Sequence, residues 1–283
     1  MTKRTAFFIS DSTGITAQNL GRALLTQFEF LAFEHTALRF INTPQRAEHA
    51  RHVIERAAER DGQKPLVFST LLDAEIRASL QATPCVYFDL FESFVSRLEA
   101  ELGVCSQPVR GHSHGMTDHE HYFSRMEAIN YTLTHDDGCT VAHLDEADLI
   151  MLGVSRTGKT PTCLYLSLHY GVRAANFPIT EDDLDEMRLP SVLLPRRAKL
   201  FGLTTEPQRL QKIRQERLPN SRYASLRQCE YEIRQAEALY RKLGIPCLST
   251  TLISIEEIAA TIVDTMGMEY SRLLPTAAPL YSN

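Results

Sequence analysis

The sequence has no apolar run approaching the roughly 20 residues that a membrane-spanning helix needs. Its first residues, "MTKRTAFFISDSTG", carry only a short apolar stretch before Asp11, where a secretory signal needs a longer one. It has no Cys-x-x-Cys pair, and Cys85, Cys105, Cys139, Cys163, Cys229 and Cys247 are scattered. That spacing argues against a zinc site or a disulfide framework and predicts reduced, mostly buried thiols. Basic residues are not in excess: the net charge is -5, which argues against bulk nucleic-acid binding. No internal repeat is visible. These absences predict a soluble cytoplasmic protein that binds neither membrane nor nucleic acid.

What is present is ordinary in bulk, with 43% hydrophobic and 23% charged residues over 283 positions. That length allows one large domain or two small ones, each with a real core. "TAFFIS", "TALRFI", "PLVFST" and "CVYFDL" read as strands, alternating with helical patterns near 15–30, 44–60, 72–81 and 91–102. Residues 103–120 lack periodicity, and a helix follows at about 120–134, ended by "HDDG". The alternation then resumes with strands at "DLIMLGV", "RAANFPI", "AKLFGLT" and "IPCLST". Helices are expected at 158–170, in "EPQRLQKIRQER", near 224–243 and in "SIEEIAATIVDTMG", the last opened by a capping box. Such alternation implies right-handed crossovers. The expected class is α/β: two α/β units with mostly parallel sheets, the C-terminal one carrying a P-loop. The expected boundaries are 1–105 for the N-terminal domain, 106–138 for a linker and connecting helix, 139–275 for the P-loop domain and 276–283 for a flexible tail.

Gly153, Val154, Ser155, Arg156, Thr157, Gly158, Lys159 and Thr160 satisfy G-x-x-x-x-G-K-[ST] in full, between an apolar strand and an apolar-patterned helix. Glycines let successive N–H groups converge on an anion, and the helix N-terminus adds positive potential. Lys159 can then reach terminal phosphates, and the Thr160 hydroxyl suits magnesium. The plain alternative is a glycine-broken strand-to-helix turn with a surface lysine. A second strand ending in Asp, usual in P-loop hydrolases, does not follow residue 160. "PITEDDLDE" offers carboxylates there, although acidic turns commonly cap helices.

Shortly before the loop, Asp136 and Asp137 in "HDDG" supply two carboxylates, one able to handle a proton and one to position a cation. The alternative is a solvated helix end turned by Gly138. Asp11, Ser12, Thr13 and Gly14 form a second strand-turn-helix and a candidate second phosphate site; the alternative is helix capping by Ser12 or Thr13. His112, His114, His119 and His121 read as a polar loop with incidental metal affinity, because no cysteine partner or helical His-Glu-x-x-His frame accompanies them. Arg217, Arg222 and Arg227 could grip phosphate or form a solvated face.

Five blocks occur in order: "FFISDSTGIT", "HYFSRMEAINYTLTHDDG", "GVSRTGKTPTCLYLSLHYGVRAANFPIT", "KLFGLTTEPQRLQKIRQER" and "NSRYASLRQCEYE". Together they resemble the bifunctional kinase/pyrophosphorylase family, from about residue 5 to about residue 268. The resemblance implies transfer of the β-phosphate of ADP to a threonine of phosphoenolpyruvate synthase, inactivating it. It also implies removal of that group by inorganic phosphate, releasing pyrophosphate. ADP, inorganic phosphate and magnesium are the expected small molecules. The synthase is the expected partner, and a homodimer is allowed rather than required. Thr157 stands where relatives can carry Cys, at an unconstrained position of the loop pattern. Two other readings stay open: a small-molecule P-loop phosphotransferase, and a non-catalytic nucleotide-sensing clamp.

Overall fold

Four short apolar segments in each half of the chain pair as parallel strands, with helices crossing over between them. The structure, a computed structural model, describes residues 3–28, 30–106 and 119–268. The chain divides into two units, residues 1–115 and 116–283. The first contains β1 (Arg4–Ile9), α1 (Ile15–Leu25), β2 (Phe33–Leu38), α2 (Pro44–Asp61), β3 (Leu66–Ser69), α3 (Ala74–Gln81), β4 (Val86–Asp89) and α4 (Glu92–Leu102). Its sheet order is β2-β1-β3-β4, all parallel. The two-residue period of a strand divides the core. Phe7, Ile9 and Val67 meet Ala47, Ala50, Ile54, Ile76 and Leu80 of α2 and α3, whereas Ala6, Phe8 and Phe68 meet Ala17 and Leu25 of α1.

The second unit contains α5 (His119–Thr134), β5 (Leu149–Gly153), α6 (Lys159–Tyr170), β6 (Ala174–Pro178), α7 (Glu181–Asp185), β7 (Leu200–Thr204), α8 (Pro207–Arg217), α9 (Leu226–Leu243), β8 (Cys247–Ser249) and α10 (Ile255–Thr265). Its order, β6-β5-β7-β8, repeats that of the first sheet, again all parallel. Two units with no visible sequence repeat thus share one winding. Ile150 and Leu152 face Leu210 of α8 and Ile233, Ala236, Leu239 and Tyr240 of α9. Leu149 and Met151 face Cys163 and Leu166 of α6 and Ile258, Ala259 and Ile262 of α10. Helix α5 packs against α6 and β6. The Ser254–Glu257 capping box opens α10, and Pro207 sits in the first turn of α8. Among the described residues, no helix is long and apolar enough to cross a membrane.

Three expectations are corrected. β2 begins at Phe33 rather than Thr36, because it is an edge strand and needs only a half-buried pattern. Residues 40 and 41 leave the strand to donate backbone N–H groups to the carbonyls of Ser12 and Ser10, with Phe40 at φ 58°. The cysteines are unpaired, but only Cys163 and Cys229 are buried; Cys105, Cys139 and Cys247 are exposed. Cysteine type alone does not place a residue inside when it falls at a turn or an edge strand. The third concerns α1, whose cap residue is Gly14 with no side-chain cap bond, so Ser12 and Thr13 do not cap it.

Candidate functional site

β5 is buried along its whole length and ends between β6 and β7, where the winding of the sheet reverses. In open parallel sheets, ligands bind beyond the carboxyl ends of the strands at such a reversal. The segment that leaves β5 is Val154–Gly158, and α6 begins at Lys159. A Cβ on Gly153 would lie 2.6 Å from Thr157 Oγ1 and 3.0 Å from the Leu203 carbonyl oxygen, so a side chain there would force its neighbours to shift. Gly158 turns the chain into the helix at φ 94°. Arg156 at the loop tip holds φ 76°, a conformation that costs a non-glycine residue about 1–3 kcal/mol.

Four carbonyls of this loop are held by side chains, that of Gly158 by Thr162 Oγ1 at 2.9 Å. The Val154 oxygen accepts from Thr157 Oγ1 and from Lys159 Nζ, both at 3.0 Å. The Ser155 oxygen accepts from Arg214 Nη2 at 3.0 Å and Nε at 3.3 Å. The Thr157 oxygen accepts from Thr250 Oγ1 at 3.2 Å. Across a trans peptide the next residue's N–H points opposite to the carbonyl. The N–H groups of Ser155, Arg156 and Gly158 are therefore turned away from these partners. Among the described residues, none of the four N–H groups from Ser155 to Gly158 donates to a protein acceptor. Successive N–H groups without a protein acceptor at a helix start can form an anion-binding concavity.

The carboxylate that was missing after the loop arrives from before it. A short 3-10 turn at Asp136–Gly138 packs against β6, with Asp137 and Gly138 at φ 52° and 69°. Thr160 Oγ1 donates to Asp136 Oδ1 at 2.9 Å. Asn176, on β6, donates through Nδ2 to the same oxygen at 2.7 Å and to Thr160 Oγ1 at 2.9 Å. "HDDG" is thus part of the loop's surroundings, beyond its role as a turn. His135, the first residue of that block, is fixed by ring contacts to the carbonyls of Tyr131 and Ala142 at 2.9 and 2.7 Å.

Lys159 is 5% exposed. Burial pushes its ammonium down to about 8, a shift opposed by the charges of Asp137 and Asp136. An arriving anion would reverse much of that penalty, because it supplies the opposite charge inside a water-poor site.

A magnesium ion takes oxygen ligands and keeps several waters, so it needs few protein donors. Asp136 and Thr160 provide two oxygens. Asn176 meets both through Nδ2, while its Oδ1 is buried with no hydrogen-bond partner among the described residues, which costs about 1–3 kcal/mol when nothing compensates. This oxygen-rich set fits a hard cation.

Other expected site residues belong to other elements. Asp11–Gly14 belongs to the first unit, where the turn is secured by the Ser12 N–H on Ser10 Oγ at 3.2 Å and by the Phe40 N–H on the Ser12 oxygen at 3.0 Å. Arg217, Arg222 and Arg227 are exposed, and Arg222 pairs with Glu181. In "PITEDDLDE", Asp183 closes a capping box with Thr180, so this acidic turn caps a helix. His112 and His114 lie outside the described residues, as do the side chains of His119 and His121.

Sequence reasoning missed Arg214, Asn176 and Thr250. Arg214 is 0% exposed, and Glu232 grips it at 2.6 and 3.1 Å beneath a stack of its guanidinium on Tyr223, 4.1 Å from the ring centre. One signal was available: Arg214 follows Leu210 by four residues, on the same buried face of α8.

Residues 6–263 match the profile of the kinase/pyrophosphorylase family. Three relatives, provisionally named phosphoenolpyruvate synthase regulatory proteins, are similar over nearly the whole chain. The protein of Hahella chejuensis is 49% identical over 267 residues, covering 94% of this chain and 98% of its own. That of Alkalilimnicola ehrlichii is 50% identical over 267 residues, covering 94% and 97%. That of Marinobacter nauticus is 48% identical over 270 residues, covering 95% and 100%. Matched along almost all of its length, the chain belongs to the kinase/pyrophosphorylase family.

Proposed function

We propose that the chain regulates phosphoenolpyruvate synthase by moving a phosphoryl group in two directions. In one, a threonine hydroxyl of the synthase attacks the β-phosphorus of ADP, AMP leaves, and the hydroxyl proton passes to a carboxylate. In the other, an oxygen of inorganic phosphate attacks the phosphothreonine phosphorus, the threonine oxygen leaves and recovers a proton, and pyrophosphate is released. The target is taken from the names of the relatives.

The observation that carries this reading is the convergence of Lys159, Asp136 and the outward-turned N–H groups on one loop. A phosphate loop grips the β-phosphate. In ADP that phosphate is terminal, so the loop can present it to an acceptor. Inorganic phosphate fits the same anion nest in the reverse direction. Lys159 stabilises charge on the transferred group, while Asp137, exposed and close enough to act on Lys159, handles the proton. Asp136 and Thr160 would hold magnesium, which neutralises phosphate charge when bound.

The test incubates purified protein and synthase with ADP, following AMP release and the gain of one phosphoryl group by intact mass. Release of AMP without phosphorylated synthase, or no release, rejects the reading. Lys159→Ala should lose both the ADP-dependent and the phosphate-dependent direction. Loss of the first alone would instead place phosphate in the second candidate site, at the Asp11–Gly14 turn.

A further inference from the structure

The sequence gives Asn176 no role, although it lies inside the third family block, yet it joins the two residues most suited to a cation. It is 2% exposed and reaches them from β6, the strand beside the loop's own strand. Its Nδ2 lies 2.7 Å from Asp136 Oδ1 and 2.9 Å from Thr160 Oγ1, while Thr160 Oγ1 donates to the same Asp136 oxygen at 2.9 Å. The triangle holds one amide NH2 and one hydroxyl as donors. Against these stand the carboxylate oxygens, the hydroxyl oxygen and the buried, unpartnered Asn176 Oδ1. Acceptors therefore exceed donors, and they sit next to the start of α6.

We propose that Asn176 is part of a divalent-cation site with Asp136 and Thr160, and that its amide turns end for end when the cation binds. The amide torsion is a broad, two-fold one, so a half turn exchanges Nδ2 and Oδ1 at little cost to the rest of the side chain. With Nδ2 inward, the amide cross-links the carboxylate and the hydroxyl. With Oδ1 inward, the three residues present three oxygens on one side, the donor set that magnesium and manganese take, directly or through a metal-held water. An asparagine that only braced the loop would leave Oδ1 buried without a partner, which costs about 1–3 kcal/mol. The proposal rests on the reading of the loop as a nucleotide site only for the cation's use, since the donor set stands without it.

The experiment titrates the full-length protein with Mn2+ alone and follows the free ion by electron paramagnetic resonance. Asn176→Leu should weaken Mn2+ binding by about tenfold or more, the usual effect of losing a supporting metal contact. Asn176→Asp should tighten it by about tenfold, because added ligand charge raises affinity. In chelator the aspartate variant should melt below wild type, with two carboxylates side by side, and Mg2+ should restore its Tm. A bracing role predicts instead that both variants weaken or leave Mn2+ binding alike, and that Mg2+ rescues neither; either result overturns the proposal. The aspartate variant decides by itself if the leucine variant does not fold. Repeating the titration with ADP separates the two readings. Affinity that follows residue 176 but ignores ADP keeps the cation site and rejects the nucleotide.

Discussion

Arg214 sets Nη2 and Nε on the carbonyl oxygen of Ser155, at 3.0 and 3.3 Å. The guanidinium is fully buried and neutralised by a two-pronged bond to Glu232. Ser155 Oγ in turn meets Tyr223 Oη at 2.9 Å, so the loop tip is held by main chain and side chain together. Such a fork fits a planar guanidinium and not an ammonium. Its consequence is orientation: the Ser155 oxygen is drawn inward, and the Arg156 N–H is directed the opposite way.

Stability and loop orientation should therefore separate. Glu232→Gln leaves Arg214 buried without its counter-charge and should lower unfolding free energy by about 3–5 kcal/mol in urea titrations. Replacing both Arg214 and Glu232 by methionine should recover most of that loss, since apolar groups of similar volume replace buried pairs well. The double variant should still bind ADP about tenfold or more weakly by calorimetry, about 1.4 kcal/mol. Native affinity in a stable double variant would show that the fork does not orient the loop.

Lys159 gives a pH signature. Its folded-state value of about 8 lies below the ordinary lysine range. Burial therefore costs stability while the ammonium is charged, fully below about pH 8, and that cost disappears as pH rises toward the unfolded value. Binding of an anion favours the charged form, so ADP or phosphate binding should take up a proton. Calorimetry in buffers of different ionisation enthalpy should find wild type absorbing about half a proton more than Lys159→Met at pH 8, and almost no more below about pH 6.5, where the ligand's own phosphate titrates equally in both.

The two aspartates should fail differently. Asp136→Asn should weaken Mn2+ binding, because its Oδ1 receives both Thr160 and Asn176. Asp137→Asn should leave Mn2+ affinity near native yet slow turnover about 10²–10⁴-fold, the range for a general base. Equal, small effects in turnover assays would reduce "HDDG" to a turn.

Gly153→Ala tests the close packing beneath the loop. The added methyl would press on Thr157 Oγ1 and on the Leu203 carbonyl, the second of which belongs to a strand and cannot yield cheaply. A loss of about 1–3 kcal/mol is expected in urea unfolding, as for other overpacked sites. An unchanged midpoint would mean that β5 and β7 can part.

The sequence by itself determined the alternation of strands and helices, the α/β class and the position of the loop. Those features depend on apolar periodicity and on glycine, lysine and threonine spaced within a single turn, all of them local contacts. Family membership was legible for the same reason, as ordered blocks of adjacent residues. Tertiary structure decided which residues act on the loop. Asn176 meets Thr160 across 16 positions and Asp136 across 40; Arg214 meets Ser155 across 59, and Thr250 meets Thr157 across 93. An arginine in a helix ordinarily reads as solvated charge, and only the approach of Glu232 and Tyr223 makes its burial tolerable. No local pattern encodes such a meeting, because it depends on how the crossovers of the sheet bring β6, α8 and the end of β8 around the carboxyl end of β5.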